Sequence, residues 1–176
     1  MKITILSGSP RKNGNSVYLA RQFMKGAEEA GHEVFFFDCS SHEVNGCLGC
    51  NHCGMNGNCV QKDDFDIVRP HLIEADVIVL ATPVYYFSFT SQLKRVTDRF
   101  YALNGKLTGK KSVLLATMAN PSERVAYLAV AVYQSIANFL HWEDMGHILA
   151  TRLWNPEDIH NTDYGKRAYE FGKNIK

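Results

Sequence analysis

The stretch Gly8-Ser9-Pro10-Arg11-Lys12-Asn13-Gly14-Asn15-Ser16 decides how this chain is read. Before it lies Lys2-Ile3-Thr4-Ile5-Leu6-Ser7, which reads as a buried strand, and after it an amphipathic run opens at Val17. A short polar loop between a first parallel strand and a helix N-terminus is a site for a phosphate. The first backbone N–H groups of the helix have no partner there, and the helix dipole favours negative charge. Glycine lets the backbone approach closely, hydroxyls and Asn amides add donors, and Arg11 adds a charge-assisted fork. Ser16 suits the N-cap. The chain has neither Gly-Lys-Ser/Thr nor G-x-G-x-x-G, so the nucleotide-triphosphate loop and the usual dinucleotide fingerprint are both absent. The loop holds no cysteine nucleophile, which argues against a phosphatase. What remains is a phosphomonoester bound without chemistry on it. The alternative is an ordinary polar turn, and the concentration of donors argues against that.

Bulk properties narrow the class. A length of 176 residues predicts one domain, 1–176, with an adequate core of its own. The composition is that of a globular protein, with 45% hydrophobic and 21% charged residues. A net charge of +1 offers no field for nucleic acid or an anionic membrane. No apolar run approaches transmembrane length, and the N-terminus lacks a signal-peptide layout, so a cytoplasmic location is expected.

The rest of the chain alternates strand and helix. Strands are predicted at 2–7, 33–38, 77–82, 112–117 and around 146–151. Helices are predicted at about 16–30, near 64–75 with an interruption at Pro70, from about Ser91 to 103, near 123–141 and over roughly 163–175. Three strands are continuous apolar runs, the mark of a parallel sheet covered on both faces. Five β-α units then give a doubly wound α/β sheet, and the flavodoxin-like order 2-1-3-4-5 is the natural choice. Its ligand crevice lies beyond the carboxyl ends of strands one and three. The phosphate loop follows strand one, and the aromatic loop Pro83-Val84-Tyr85-Tyr86-Phe87 follows strand three. A phosphate site beside an aromatic wall suits a ligand with a phosphate tail and a flat ring, which is FMN.

The residues now carry a resemblance. Gly8-Ser9-Pro10-Arg11 with Asn15-Ser16, then Pro83-Val84-Tyr85-Tyr86, then Gln92-Leu93-Lys94-Arg95 with Asp98-Arg99, resemble the NAD(P)H-dependent FMN reductases of the flavodoxin-like superfamily. Within it, Cys47-x-x-Cys50-x-x-Cys53-x5-Cys59 followed by Asp63-Asp64 resembles the iron–sulfur flavoproteins, which carry a [4Fe–4S] cluster beside FMN. The resemblance implies that Ser9, Arg11, Asn15 and Ser16 hold the FMN phosphate, with Asn13 and Gly14 shaping the loop. It implies that Pro83, Val84, Tyr85 and Tyr86 line the isoalloxazine. The loop Met118-Ala119-Asn120-Pro121 departs from the glycine-rich loop of many relatives, and only Thr117 and Asn120 are carried over there.

Three readings of the cysteine loop stand side by side. Four thiolates on a tight, glycine-rich loop can converge on an iron–sulfur cluster. The same loop can be metal-free, structural or redox-active. Zinc with His52 nearby is the third, although structural zinc sites separate their Cys pairs more widely. Cys39 reads as an inert small residue after strand two. Tyr85, Tyr86 and Phe87 can also be read as core or interface aromatics. The helix near 123–141 is apolar on more than one face, which predicts a homodimer or homotetramer, with Trp142 and Trp154 at that interface or on pocket walls.

The expected function is an FMN-dependent oxidoreductase that takes hydride from NADH or NADPH and passes electrons to a small acceptor such as a quinone, nitro compound or flavin. One alternative is an electron carrier holding FMN and a [4Fe–4S] cluster. Another is a flavodoxin-like module that exchanges electrons with partner proteins, against which the net charge of +1 argues, since such modules tend to be acidic. The flavin carries the chemistry, so no catalytic acid–base side chain is named.

Overall fold

The apolar runs become five parallel strands: β1 (Lys2–Ser7), β2 (Glu33–Asp38), β3 (Val77–Pro83), β4 (Lys111–Thr117) and β5 (Glu143–Ala150). The computed structural model describes residues 1–176. The sheet order is β2-β1-β3-β4-β5, and every pairing is parallel. This is the flavodoxin-like order expected from the strand–helix alternation.

Four helices connect the strands, α1 (Asn15–Glu29), α2 (Phe65–Glu74), α3 (Ser91–Asp98) and α4 (Tyr127–Phe139), and α5 (Tyr164–Asn174) follows β5. Leu6, Ile78, Leu80 and Leu114 face a core closed by residues of α2, α3 and α4. Ile3, Ile5, Val77, Val79, Val113 and Leu115 face a second core closed by α1 and α5. Alternate residues of one strand thus enter opposite cores. A strand covered on both faces therefore reads as one unbroken apolar run. On the second face α1 and α5 touch through glycine: a Cβ on Gly26 would lie 2.0 Å from the Tyr169 carbonyl oxygen.

Several boundaries differ from the sequence expectation. β5 begins at Glu143 rather than near Gly146, because an edge strand tolerates polar residues and the β4–β5 register shifts between Ser112 and Leu114. Pro70 lies inside a continuous α2, whose Phe65, Val68 and Leu72 are buried. Burial of that face outweighs the one hydrogen bond a proline removes. The helix opening at Ser91 tightens after Asp98 into a 3-10 segment, Arg99–Lys106. The helix expected at 123–141 starts as a 3-10 turn, Glu123–Ala126, which the Ser122 side chain caps. Trp142 belongs neither to a surface interface nor to a pocket wall. It is buried against Phe100 and donates its indole N–H to the Leu107 carbonyl. No helix is long and apolar enough to cross a membrane.

Candidate functional site

The phosphate loop is built by short local bonds. Gly14 N–H donates to the Arg11 carbonyl at 3.0 Å, and Arg11 N–H donates to Ser9 Oγ at 3.2 Å. Gly14 is extended (φ −82°, ψ 163°) and ends the loop, so α1 begins at Asn15 without a side-chain cap. The N–H groups of Asn15, Ser16 and Val17 therefore have no acceptor in the protein. Ser16 is not the N-cap expected for it. It is the second residue of α1, and its hydroxyl lies 2.6 Å from Thr117 Oγ1 at the end of β4.

These elements open onto a cleft of about 350 Å³ beyond the carboxyl ends of β1, β3 and β4. Ser9, Arg11, Asn15, Ser16, Pro83, Val84, Tyr85 and Thr117 line it together. Asn13, Tyr86 and Asn120 are exposed and do not line it. Asn120 instead accepts the Ser122 N–H at Oδ1, 2.9 Å away, and shapes its own turn. Gly8 fixes how the loop meets α3. Thr90 caps α3 and donates its hydroxyl to the Gly8 carbonyl at 2.6 Å, while a Cβ on Gly8 would lie 2.6 Å from Leu93 Cβ.

The opposite wall grows from β3. Val84 N–H donates to the Thr117 carbonyl at 2.8 Å, so the β3–β4 ladder runs on past Pro83. Tyr85 and Ser88 exchange two backbone bonds of 3.1 Å around a two-residue turn. Tyr86 (φ 45°) and Phe87 (φ 69°) are left-handed there, a conformation costly for side chains of this size. The turn holds Tyr85 at the cleft and leaves Tyr86 97% exposed.

Met118, Ala119, Leu153 and Trp154 complete the lining. Met118 and Ala119 belong to the loop after β4 on which the resemblance carries over only Thr117 and Asn120, Trp154 is one of the two tryptophans the sequence offers for an interface or a pocket wall, and Leu153 carries no sequence signal. Leu153 N–H donates to the Met118 carbonyl, which carries the β4–β5 ladder past the sheet edge. The next residues form a strap tied to α1. Asn15 donates from Nδ2 to the Asn155 carbonyl at 2.8 Å and accepts the Ile159 N–H at 3.2 Å. Its amide, expected on a phosphate, is thus engaged in holding the strap. The Asn155 N–H also holds the Asp158 carboxyl below its usual range.

The lining fits FMN. Unpaired N–H groups and the exposed Arg11 can receive a phosphate, and Tyr85 and Trp154 offer flat apolar surface. The cleft is of ligand size.

The cysteines form a second site. Cys47, Cys50, Cys53 and Cys59 are free thiols lining one small concavity of about 20 Å³. That is room for about one water molecule. No group of three or more His, Cys, Asp or Glu side chains is drawn together closely enough here to hold a metal ion. His52 lies outside the lining. Cys39 is apart, fully buried at the end of β2, and burial pushes its thiol far above the usual range.

One wall of the concavity is Arg99. Its side chain is 1% exposed and pairs at 2.8 Å with Asp63, itself 5% exposed. Nη1 also donates to the Asn45 carbonyl, and the guanidinium lies 4.7 Å from the Phe65 ring centroid. Nε and Nη2 are buried with no partner. Burial alone would raise the Asp63 carboxyl. Hydrogen bonds from Arg99 and from the backbone N–H groups of Asn45 and Phe65 outweigh it and hold the group below its usual range. Four thiols sharing one concavity with a buried cation, two of whose nitrogens have no partner, are by their chemistry a donor set suited to an anionic tetrathiolate centre.

The chain is similar to known proteins in sequence and in fold. Residues 1–150 match the family described as NADPH-dependent FMN reductase. An iron-sulfur flavoprotein of Archaeoglobus fulgidus is 38% identical over 133 residues, 73% of this chain and 60% of that protein. The chain thus spans about three-fifths of the length of that relative. An iron-sulfur flavoprotein of Methanosarcina thermophila is 33% identical over 145 residues, 82% of this chain and 75% of that one. In fold, the chain superposes on an NAD(P)H:quinone oxidoreductase from Methanothermobacter marburgensis with a TM-score of 0.76 at 16% identity, covering 98% of this chain and 95% of that one. With residues 1–150 matched as a unit, the chain belongs to the NADPH-dependent FMN reductase family.

Proposed function

We propose that this chain is an FMN-dependent oxidoreductase that draws reducing equivalents from NADH or NADPH and passes them to a small-molecule acceptor such as a quinone, nitro compound or flavin. The observation that carries the reading is the uncapped N-terminus of α1, with its free N–H groups, opening onto a cleft walled by Tyr85 and Trp154. In this reading the N–H groups of α1 and the Arg11 fork hold the phosphate, while Ser9 and Ser16 add hydroxyls. Pro83, Val84 and Tyr85 hold one side of the ring, and Leu153 and Trp154 exclude water from another edge. FMN, when bound, supplies the two-electron chemistry that links a nicotinamide to the acceptor. No Asp, Glu, His or Lys lines the cleft, and the protein's part in this reading is to bind and orient the ring and phosphate.

Heat release of bound flavin, its identification by mass and steady-state NAD(P)H oxidation test this. Recovery of FAD alone, or no flavin after reconstitution, defeats it. FMN binding without NAD(P)H turnover favours an electron carrier.

The cysteine concavity favours a second element: a [4Fe–4S] cluster on Cys47, Cys50, Cys53 and Cys59. The observation behind it is the set of four thiols lining one concavity with Arg99, two of whose buried nitrogens have no partner. The relatives named iron-sulfur flavoprotein support it. Iron and acid-labile sulfide after anaerobic reconstitution are the measurement. Losing any of these four thiols should abolish iron and leave FMN bound, whereas Cys39→Ser should leave both unchanged.

A further inference from the structure

We infer that Arg99 is a positioning and potential-setting residue of the cysteine loop. Its unpaired Nε and Nη2 groups donate to the sulfur shell of the centre held by Cys47, Cys50, Cys53 and Cys59, and its charge raises that centre's reduction potential. The inference rests on the iron–sulfur reading above.

Three observations converge on it. Arg99 is 1% exposed, yet two of its three nitrogens have no acceptor. A buried guanidinium with unmet donors calls for a partner, whether water, an ion or a ligand, and Arg99 is the arginine with two unpartnered nitrogens where Arg69 and Arg95 have one each. Arg99 is also the sole cationic side chain lining the concavity of the four thiols. Thiolates around a cluster carry net negative charge, and hydrogen bonds to sulfur set cluster potentials.

The third observation is rigidity. Asp63 and the Phe65 ring hold the guanidinium in place, and Asp63 stands four residues beyond Cys59. The same 3-10 segment grips the loop tip. Tyr101 donates its hydroxyl to Asn51 Oδ1 at 2.8 Å, Asn104 N–H to the Met55 carbonyl at 2.9 Å, and Gly105 N–H to Asn56 Oδ1 at 2.7 Å. The loop and the Arg99 wall are therefore held together as one unit. That wall directly follows α3, whose cap Thr90 is bonded to Gly8 of the phosphate loop.

The test is an EPR-monitored redox titration of the anaerobically reconstituted full chain, wild type against Arg99→Gln, Arg99→Lys and Asp63→Asn. Bound FMN reports that each variant is folded. Arg99→Gln should make reduction of the centre at least tenfold less favourable, a fall of about 59 mV for one electron. Arg99→Lys should fall less, because charge remains while the planar fork is lost. Asp63→Asn should shift the potential upward, because the Arg99 charge is no longer offset. A merely structural role would move Arg99→Gln and Asp63→Asn in the same direction, and that result overturns the inference. An unmoved midpoint in folded Arg99→Gln overturns it too, with the cluster reading intact. If Arg99→Gln loses its FMN, the opposed shifts of Arg99→Lys and Asp63→Asn decide the question. Wild-type protein without iron and sulfide overturns the cluster reading itself and the inference with it.

Discussion

Asn15 and Asn155 are 140 residues apart in the chain, yet Asn15 Nδ2 donates to the Asn155 carbonyl at 2.8 Å. Asn15 Oδ1 accepts the Ile159 N–H as well. The first residue of α1 thus serves two sites at once: its backbone N–H faces the cleft, and its side chain holds the strap that carries Trp154.

Asn15→Ala should therefore loosen the strap. The Asn155 carbonyl and the Ile159 N–H lose their partner, a cost of about 1–3 kcal/mol. The urea midpoint should fall, and FMN should bind more weakly as the strap no longer holds Leu153 and Trp154 on the cleft wall. Unchanged affinity and midpoint would show that Asp158, which also bonds Asn155, holds the strap alone.

Arg11→Ala should weaken FMN binding about ten- to a hundred-fold, the loss of one charge-assisted bond of about 1.5–3 kcal/mol. Arg11 is exposed and supports no core, so the urea midpoint should stay put. An unchanged dissociation constant would place the phosphate on the backbone N–H groups and hydroxyls alone.

Gly8→Ala tests the join between the phosphate loop and α3. The added Cβ would lie 2.6 Å from Leu93 Cβ and 2.7 Å from Thr90 Oγ1. Overpacking of this kind costs about 1–3 kcal/mol. Stability and FMN affinity should fall together, because the displaced helix cap is bonded to the loop itself. A variant with both properties intact would show that α3 can retreat freely.

Acid should weaken the Asp63–Arg99 pair. The folded Asp63 carboxyl lies below its usual value of 3.8, so its contribution is present above that pH and fades as pH falls below it through the folded value. Asp63→Asn should flatten the stability curve in that acid window and change its slope little near neutrality. Urea midpoints followed from neutral pH into acid would check this, and parallel curves would contradict it.

The surface of α4 carries the oligomer prediction. Tyr127, Leu128 and Phe139 are 69%, 52% and 66% exposed. A groove between α3 and α4 is lined by Val132, Ile136 and Phe139. Wild-type protein should sediment as a dimer or tetramer at micromolar concentration, and Phe139→Lys should shift it toward monomer. A monomeric wild type refutes the prediction.

Much of the site was legible because its residues are clustered in sequence. Ser9, Arg11, Asn15 and Ser16 share one loop, and Pro83, Val84 and Tyr85 share another. Parallel-sheet topology brings the two loops together. Tyr86 and Asn120 lie outside the cleft lining because a turn's dihedral angles decide which neighbour faces the cleft, and single-residue spacing does not encode that. Leu153 and Trp154 were harder still, since their partners are far away along the chain.

The sequence by itself determined the strand–helix alternation, the doubly wound sheet, the phosphate loop and the clustering of four cysteines. All of these follow from local pattern: apolar runs, glycine and hydroxyl placement, and short spacing. The tertiary structure alone decided that Asn15 holds a strap, that Ser16 meets Thr117, and that Arg99 is buried against Asp63 and lines one concavity with the four thiols. Those relationships join residues between 36 and 140 positions apart. Packing, not local preference, brings such distant polar groups to one place, and burial is what makes an unpaired donor costly enough to mean something.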